Sequence, residues 1–141
     1  MQVADIMTPN PRTAQPGDTL QAAAQAMDEL NVGVLPVCEG RRLIGMLTDR
    51  DIVVRSTAVG QDPRTATVAD AMTANAHSVR EDASVLDAIR MMKEYQFRRV
   101  PVLDAEERLT GIVSLGDLAD AGTPEAADAL QAISTPAAPD R

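Results

Sequence analysis

The strongest constraint on the fold of this chain is an internal repeat. The segment VADIMT, which begins at Val3, returns as VADAMT at Val68, an offset of 65 residues (68 minus 3). The same offset of 65 relates VLPV at 34–37 to RVPV at 99–102. After one inserted residue the offset becomes 66 and relates LIGMLTDRDI at 43–52 to LTGIVSLGDL at 109–118. Self-similarity of this kind indicates two copies of one structural unit.

The repeat also sets the predicted domain organisation. One copy covers residues 1–60, a turn-rich linker covers 61–66, and the second copy covers 67–122. Residues 123–141 are predicted to form a short C-terminal helix, which opens with Thr-Pro-Glu and ends near Ser134, and then a disordered tail. Since each copy is small for an independent core, the two are expected to pack as a pseudo-two-fold pair with a shared apolar face.

Each copy has the pattern of a β-α-β-β-α block. An extended segment near Thr13 precedes an Ala-rich helix over about 19–31, and the equivalent helix spans about 84–96. Two short strands follow in the first copy, VLPVC and LIGMLT, joined by the turn EGRR, and a last helix begins near Asp49. The predicted fold class is α+β.

The charge and hydropathy of the chain exclude two kinds of partner. Its formal net charge of -8 argues against binding along a nucleic-acid backbone, which needs clustered Lys and Arg. No apolar run approaches the roughly 20 residues of a membrane helix, and the N-terminus lacks the pattern of a signal peptide. We therefore expect a cytoplasmic protein with no nucleic-acid or membrane partner.

The chain offers few ligands for a metal. Cys38 is its single cysteine and His77 its single histidine, so neither a disulfide framework nor a thiolate-rich zinc site is predicted. Cys38 ends a strand, which favours a small core residue over a redox sensor.

The stretch GMLTDRD, from Gly45 to Asp51, has two readings. Thr48 and Asp51 have the spacing of a capping box at a helix start, as do Ser114 and Asp117 in SLGD. The same helix start could instead bind a phosphate, while a carboxylate at either Asp would suit the paired hydroxyls of a ribose. The two readings are compatible, and spacing alone leaves both open.

Gly45 and Gly111 each lie inside a predicted strand. Glycine weakens a strand unless a backbone or a ligand must approach closely. Either a ligand or tight packing between the repeats would explain both residues.

These motifs resemble two tandem CBS domains, the regulatory module often called a Bateman module. The likeness extends to about Asp120 and rests on DIMT and DAMT, on LPV and VPV, and on GMLTDRD and GIVSLGD, which match a Gly-x-x-Thr/Ser-x-x-Asp pattern. The stretch from LPVC to GMLTDRDIVVR is also similar to a subgroup of small stand-alone bacterial CBS-pair proteins.

The resemblance implies two clefts between the repeats that bind adenosine-containing ligands such as AMP, ADP, ATP or S-adenosylmethionine. Asp51 and Asp117 would then hold ribose hydroxyls, and Thr48 and Ser114 would bond the ribose or a phosphate. The remaining implied contacts are backbone groups that read the adenine edge and aliphatic side chains beside the base: Thr13, Ala14, Ser78 and Val79 for the edge, and Val37 and Val102 for the base.

Arginines supply the implied phosphate contacts. Some family members carry an arginine two residues before the strand proline, which Arg99 matches and Val34 does not, so the two clefts are expected to differ in affinity. Arg98 and Arg50 are further candidates, although each could equally be a solvated surface residue. His77 is interpreted as a surface residue that could touch a phosphate.

The expected function is that of a regulatory sensor with no catalytic residues, no required cofactor and an adenine nucleotide as its regulatory ligand. A homodimer and a separate effector protein are the expected protein partners. One rival is a structural association module with empty clefts. Another is a nucleotide hydrolase. The chain argues against a hydrolase because it lacks a GxxxxGK[ST] phosphate loop and a recognisable nucleophile with its base.

Overall fold

The computed structural model describes residues 1–122 and 124–134, without the side chains at positions 126, 129 and 134. The strands of this part of the chain are β1 (Thr8–Pro9), β2 (Val34–Glu39), β3 (Arg42–Thr48), β4 (Thr73–Ala74), β5 (Val79–Arg80), β6 (Arg99–Leu103) and β7 (Leu109–Ser114). Its α-helices are α1 (Leu20–Leu30), α2 (Asp49–Arg55), α3 (Val68–Ala71), α4 (Val85–Tyr95), α5 (Leu115–Asp120) and α6 (Pro124–Ser134). None of these helices is long and apolar enough to cross a membrane. The predicted disordered tail lies outside the described residues.

The two long helices of the repeat begin and end as their sequences predict. The side-chain oxygen of Thr19 accepts a hydrogen bond from the amide of Ala22 at 3.1 Å, and α1 follows. In the second repeat the side-chain oxygen of Ser84 accepts from the amide of Asp87 at 3.2 Å, and α4 follows. Each helix ends at a residue in the left-handed conformation, Asn31 and Gln96 respectively.

The chain divides into two compact units. The first-repeat unit contains Pro11–Ala76 and Glu107–Leu109, and the second-repeat unit contains Met1–Asn10, His77–Glu106 and the described residues from Thr110 onward. These spatial units differ from the sequence repeats, because the opening segment of each repeat packs in the unit formed mainly by the other repeat.

The first-repeat unit is built on the three-stranded sheet β2-β3-β4. β2 and β3 form an antiparallel hairpin with a register irregularity between Val37 and Cys38, and Ala14 adds an isolated parallel bridge to Val37. Its core is entirely aliphatic, and its most deeply buried members include Leu20, Leu35, Val37, Leu47 and Val68.

The second-repeat unit is built on a four-stranded sheet of order β1-β7-β6-β5. β5 runs parallel to β6 with Val79 opposite Val102, which repeats the pairing of Ala14 with Val37. Helix α6 packs against α4 and α5, Lys93 forms an ion pair with Asp128, and Ile133 enters the core. This core is aliphatic as well, and its most deeply buried members include Met92, Val100, Val102, Val113 and Leu118.

The strand glycines accommodate a neighbouring backbone. Gly45 lies opposite Ala74 in the β3–β4 pair, and a β-carbon on Gly45 would lie 2.6 Å from the carbonyl oxygen of Thr73. Gly111 lies opposite Pro9 in the β1–β7 pair, and a β-carbon there would lie 3.0 Å from the carbonyl oxygen of Thr8. Of the two explanations left open by the sequence, close packing of the opening segments is sufficient and no ligand is needed.

Candidate functional site

The Gly-x-x-Thr/Ser-x-x-Asp motif forms a complete capping box in each unit. In the first-repeat unit the amide of Thr48 donates to Asp51 Oδ2 at 2.9 Å, and the amide of Asp51 donates to Thr48 Oγ1 at 3.0 Å. In the second-repeat unit the amide of Ser114 donates to Asp117 Oδ2 at 2.8 Å, and the amide of Asp117 donates to Ser114 Oγ at 3.0 Å. The structural reading of the motif is thus correct. Each box uses Oδ2 of the carboxylate.

The second carboxylate oxygen has different surroundings in the two units. Asp51 Oδ1 lies 3.9 Å from Arg55 Nε, and Arg55 Nη1 also donates to the carbonyl oxygen of Met72 at 3.1 Å. Within the part of the chain that the structure describes, no ion pair involves Asp117. A hydroxyl donor approaching Asp51 would therefore compete with a guanidinium, whereas one approaching Asp117 would not.

In each unit a backbone bond ties the residue just before the first hairpin strand to the capped helix. The amide of Asp49 donates to the carbonyl oxygen of Gly33 at 2.9 Å, and the amide of Leu115 donates to the carbonyl oxygen of Arg98 at 2.8 Å. The carboxylate of Asp49 lies next to Gly33, where a β-carbon would come within 3.1 Å of Oδ2. Beside this bond one unit therefore carries the carboxylate of Asp49, and the other carries Arg98 at the position of Gly33 and Leu115 at the position of Asp49.

The three arginines of the predicted site are exposed. Arg98 and Arg99 adjoin the start of α5 through the Arg98 carbonyl, and Arg99 opens β6. Arg50 lies in the first turn of α2, and its amide donates to Asp49 Oδ1 at 2.8 Å. The chain beside the second-repeat helix thus carries two consecutive arginines, and the first-repeat helix carries Arg50 next to Asp49.

The predicted base-contacting residues differ in how far they are exposed. Both backbone groups of Ala14 already bond to β2, since its amide donates to Pro36 and its carbonyl accepts from Cys38, each at 2.9 Å. Thr13 is exposed and Ser78 is half-buried. Val37 and Val102 are fully buried and belong to the two cores. The free edge of the first-repeat segment is therefore at Thr13.

All predicted residues of one repeat lie in one unit. Thr13, Ala14, Val37, Thr48, Arg50 and Asp51 fall in the first-repeat unit, and Ser78, Val79, Arg98, Arg99, Val102, Ser114 and Asp117 fall in the second. Each unit thus carries its own set of paired hydroxyl and carboxylate, adjacent strand start and sheet edge.

Comparison with known protein families matches the CBS domain to residues 3–56 and again to 68–123. This chain belongs to the CBS domain family. The resemblance inferred from its motifs is confirmed, as is the α+β fold class.

Relatives of this CBS pair include small bacterial proteins. It is 45% identical over 117 residues to the CBS domain-containing protein YhcV of Bacillus subtilis, covering 83% of this chain and 82% of that protein. It is also 45% identical over 116 residues to hypoxic response protein 1 of Mycobacterium tuberculosis, covering 82% and 80%. The expected similarity to small bacterial CBS-pair proteins is confirmed.

Solved structures of CBS pairs have the same fold. Hypoxic response protein I, crystallised with two coordinated zinc ions, superposes with a TM-score of 0.79 at 43% identity, covering 85% of this chain and 98% of that one. CBSX2 in complex with AMP gives 0.76 at 31% identity, covering 86% and 95%. A CBS domain pair in complex with 5′-methylthioadenosine and S-adenosyl-L-methionine gives 0.76 at 28% identity, covering 87% and 100%.

Metal-binding groups are not assembled in the described part of this CBS pair. No cluster of three or more His, Cys, Asp and Glu side chains there could hold an ion. Cys38 is 1% exposed, and burial raises the pKa of its thiol. Its place in the core agrees with the structural reading of this residue.

Sequence reasoning missed one constellation in the CBS pair. The rings of His77 and Tyr95 stack with their centroids 4.0 Å apart and their planes at 20°. Phe97 lies 5.7 Å from Tyr95 and 5.9 Å from His77, so the three rings form one cluster. The available signal was the repeat itself, because the equivalent positions in the first repeat hold Arg12, Leu30 and Val32.

Proposed function

We propose that this CBS pair is a regulatory module that binds adenosine-containing nucleotides and transmits binding through a change in conformation or in partner affinity. The observation that carries the proposal is the pairing of a hydroxyl with a carboxylate at the start of α2 and of α5, in Thr48 with Asp51 and Ser114 with Asp117. Structures of related CBS pairs with AMP, and with 5′-methylthioadenosine and S-adenosyl-L-methionine, support this ligand class.

The carboxylates are suited to a ribose. The capping box fixes Asp117 through Oδ2, which orients Oδ1 without occupying it. Two adjacent hydroxyls of a ribose can both donate to such a preorganised carboxylate, and hydrogen bonds to a charged group are worth roughly 1.5–3 kcal/mol. The cap and the ribose site are therefore two uses of one side chain.

The two units are expected to differ in their affinity for the phosphate groups of a ligand. Arg98 and Arg99 lie beside the start of α5, and guanidiniums recognise phosphate oxygens through paired hydrogen bonds. The equivalent positions beside α2 hold Gly33 and Val34, next to the carboxylate of Asp49. We infer that the second-repeat unit prefers ligands with more phosphate charge, and that the first-repeat unit prefers AMP, adenosine or S-adenosylmethionine.

Regulation requires that the ligand bind two states of the protein unequally, since equal affinity shifts no equilibrium. We infer that the responding property is self-association into a homodimer or binding to a separate effector protein. The candidate site supplies binding groups and no nucleophile paired with a base, so no catalysis is assigned to it.

The test is calorimetric titration of nucleotide-stripped protein with AMP, ATP and S-adenosylmethionine, repeated with Asp51→Ala and Asp117→Ala. Each substitution is expected to weaken nucleotide binding at its own unit by more than tenfold, because charged hydrogen bonds to the ribose are lost. The absence of nucleotide binding by the wild-type protein would overturn the proposal.

A matched control separates capping from binding. Asp70 accepts from the amide of Thr67 at 2.9 Å in the same kind of box, at the start of α3 and outside the candidate site. Asp70→Ala should therefore lower stability as the other two substitutions do and leave nucleotide affinity unchanged. Equal losses of affinity in all three variants would show that the effect comes from helix stability.

The intact capping boxes favour one second candidate, a structural association module whose motif residues serve only the fold. In that case Asp51→Ala and Asp117→Ala would each cost about 1 kcal/mol of stability and change no ligand affinity. Urea unfolding of the same three variants, measured beside the titrations, distinguishes the two functions.

A further inference from the structure

Every phenylalanine, tyrosine and histidine ring of the chain lies in one exposed cluster of the second-repeat unit. The sequence contains one Tyr, one Phe, one His and no Trp, and all three rings contact one another. Tyr95 is 41% exposed and Phe97 is 36% exposed, while both cores are aliphatic. The cluster therefore does not serve the core, and exposed stacked rings are typical of a surface that receives a flat ligand.

The rings adjoin the candidate nucleotide site at two points of the chain. His77 immediately precedes Ser78 and Val79, the segment expected to read a base edge. Phe97 immediately precedes Arg98, whose carbonyl oxygen accepts from the amide of Leu115 at the start of α5. The cluster is thus joined directly along the chain to the segment at Ser78 and Val79 and to the residue that bonds the start of α5.

A turn at Gln96 holds the two rings of the helix end in place. Gln96 adopts φ 59°, in the left-handed region that a non-glycine residue seldom occupies. Its side-chain amide donates to the carbonyl oxygen of Lys93 at 3.1 Å. This turn places Tyr95 and Phe97 on either side of a fixed bend, so that both reach His77.

The first-repeat unit provides an internal comparison. Arg12, Leu30 and Val32 occupy the positions of His77, Tyr95 and Phe97. There Arg12 forms an ion pair of 3.4 Å with Glu29, and no ring is present. The repeat fold therefore does not need rings at these positions, which makes their presence in the second unit a specific property of that unit.

We propose that His77, Tyr95 and Phe97 form a stacking surface for the purine base of a nucleotide bound to the second-repeat unit. Phe97 and His77 offer ring surface to the base, and Arg98 and Arg99, which follow Phe97, contact the phosphates. The inference rests on the proposed nucleotide-binding function and adds a specificity determinant: the second-repeat unit selects for an aromatic base, and the first-repeat unit binds it without stacking.

The direct test is proton NMR of the aromatic region during titration with AMP. Since these three residues give the only phenylalanine, tyrosine and histidine ring signals, each ring is observed without ambiguity. Ring-current shifts of Phe97 and His77 with AMP, absent with ribose 5-phosphate, are expected. Unchanged ring signals while calorimetry detects AMP binding would overturn the inference but leave the proposed function intact.

A second measurement replaces the three rings with the residues that occupy the equivalent positions of the first repeat. The triple variant His77→Arg, Tyr95→Leu, Phe97→Val copies the first repeat, and Glu94 lies at the position of Glu29, ready to pair with the new arginine. Loss of stacking is expected to reduce AMP affinity of the second-repeat unit about tenfold or more, while ribose 5-phosphate affinity stays unchanged. Titrations in an Asp51→Ala background isolate this unit.

Three further outcomes of these experiments would overturn the inference. An equal loss of AMP and ribose 5-phosphate affinity would make the cluster a structural support and overturn the inference. Ring shifts that follow protein concentration and not AMP would make it a contact between copies, with the same consequence. If the wild-type protein binds no nucleotide at all, the proposed function fails and this inference fails with it.

Discussion

The amide of Asp49 bonds the carbonyl oxygen of Gly33 at 2.9 Å, and its carboxylate lies over the same glycine, 3.1 Å from where a β-carbon would be. The second repeat has the same backbone bond, between Leu115 and Arg98, with an arginine at the position of Gly33 and a leucine at the position of Asp49. One repeated scaffold thus carries a carboxylate beside this bond in one unit and an arginine residue in the other. The two candidate sites therefore differ in a few side chains while the backbone arrangement is the same.

Asp49→Asn is therefore expected to raise the affinity of the first-repeat unit for ATP about threefold to fivefold, and its affinity for adenosine very little. The reason is that a carboxylate near a phosphate repels it by about 1 kcal/mol in a watery environment. The measurement is calorimetric titration in an Asp117→Ala background, at two salt concentrations.

Because the site is exposed, the gain should shrink at high ionic strength. Glu39→Gln is the matched control, since Glu39 is exposed at the opposite end of β2 from Val34. An equal gain in the control, or an equal gain for adenosine, would show that only net charge had changed.

Gly45→Ala is expected to destabilise the protein by about 1–3 kcal/mol, as overpacking generally does. The added β-carbon would lie 2.6 Å from the carbonyl oxygen of Thr73, a backbone atom of the neighbouring strand β4 that has little room to move. Urea unfolding measures the loss. Gly17→Ala is the control, because no atom lies within 4 Å of a β-carbon there, and its stability should be nearly unchanged. A fully stable Gly45→Ala protein would mean that β4 does not pack on β3 in this register.

Much of this fold could be predicted because the repeat supplied each prediction twice. The two long helices were predicted to begin near Thr19 and Ser84, and the hairpin strands were predicted from the runs VLPVC and LIGMLT on either side of the turn EGRR. The capping reading of Thr48 and Asp51 followed from spacing alone. Local patterns of this kind depend on near neighbours in the chain, which the sequence displays directly.

Predictions that depended on distant neighbours were less complete. The role of Gly45 was left open because the approaching backbone, at Thr73, lies 28 positions further along the chain (73 minus 45). The contact of Val37 with a base stays a prediction, and the sequence did not reveal that this side chain is fully buried in the first-repeat core. The ring cluster was missed because His77 and Tyr95 meet through tertiary packing that no spacing rule describes.

The thiol of Cys38 makes stability depend on pH in the alkaline range. Burial raises its pKa in the folded protein, so the folded chain holds this proton more tightly than the unfolded chain does. Below about pH 8.5, the usual pKa of a cysteine, both states keep the proton and the thiol adds no pH dependence. Above that pH the unfolded chain releases it first, so the free energy of unfolding should fall until the folded thiol also ionises.

Cys38→Val removes the titrating group while keeping an apolar side chain of similar size in the core, so its free energy of unfolding should lack this component. Urea unfolding of both proteins between pH 7 and pH 10 gives the comparison, because the contribution of groups common to both proteins cancels in the difference. The wild-type protein should lose stability relative to the variant above about pH 8.5, by at most about 1.4 kcal/mol per pH unit. Parallel curves across the whole range would show that the thiol titrates alike in the folded and unfolded chains, and that Cys38 is more accessible to water than its 1% exposure indicates.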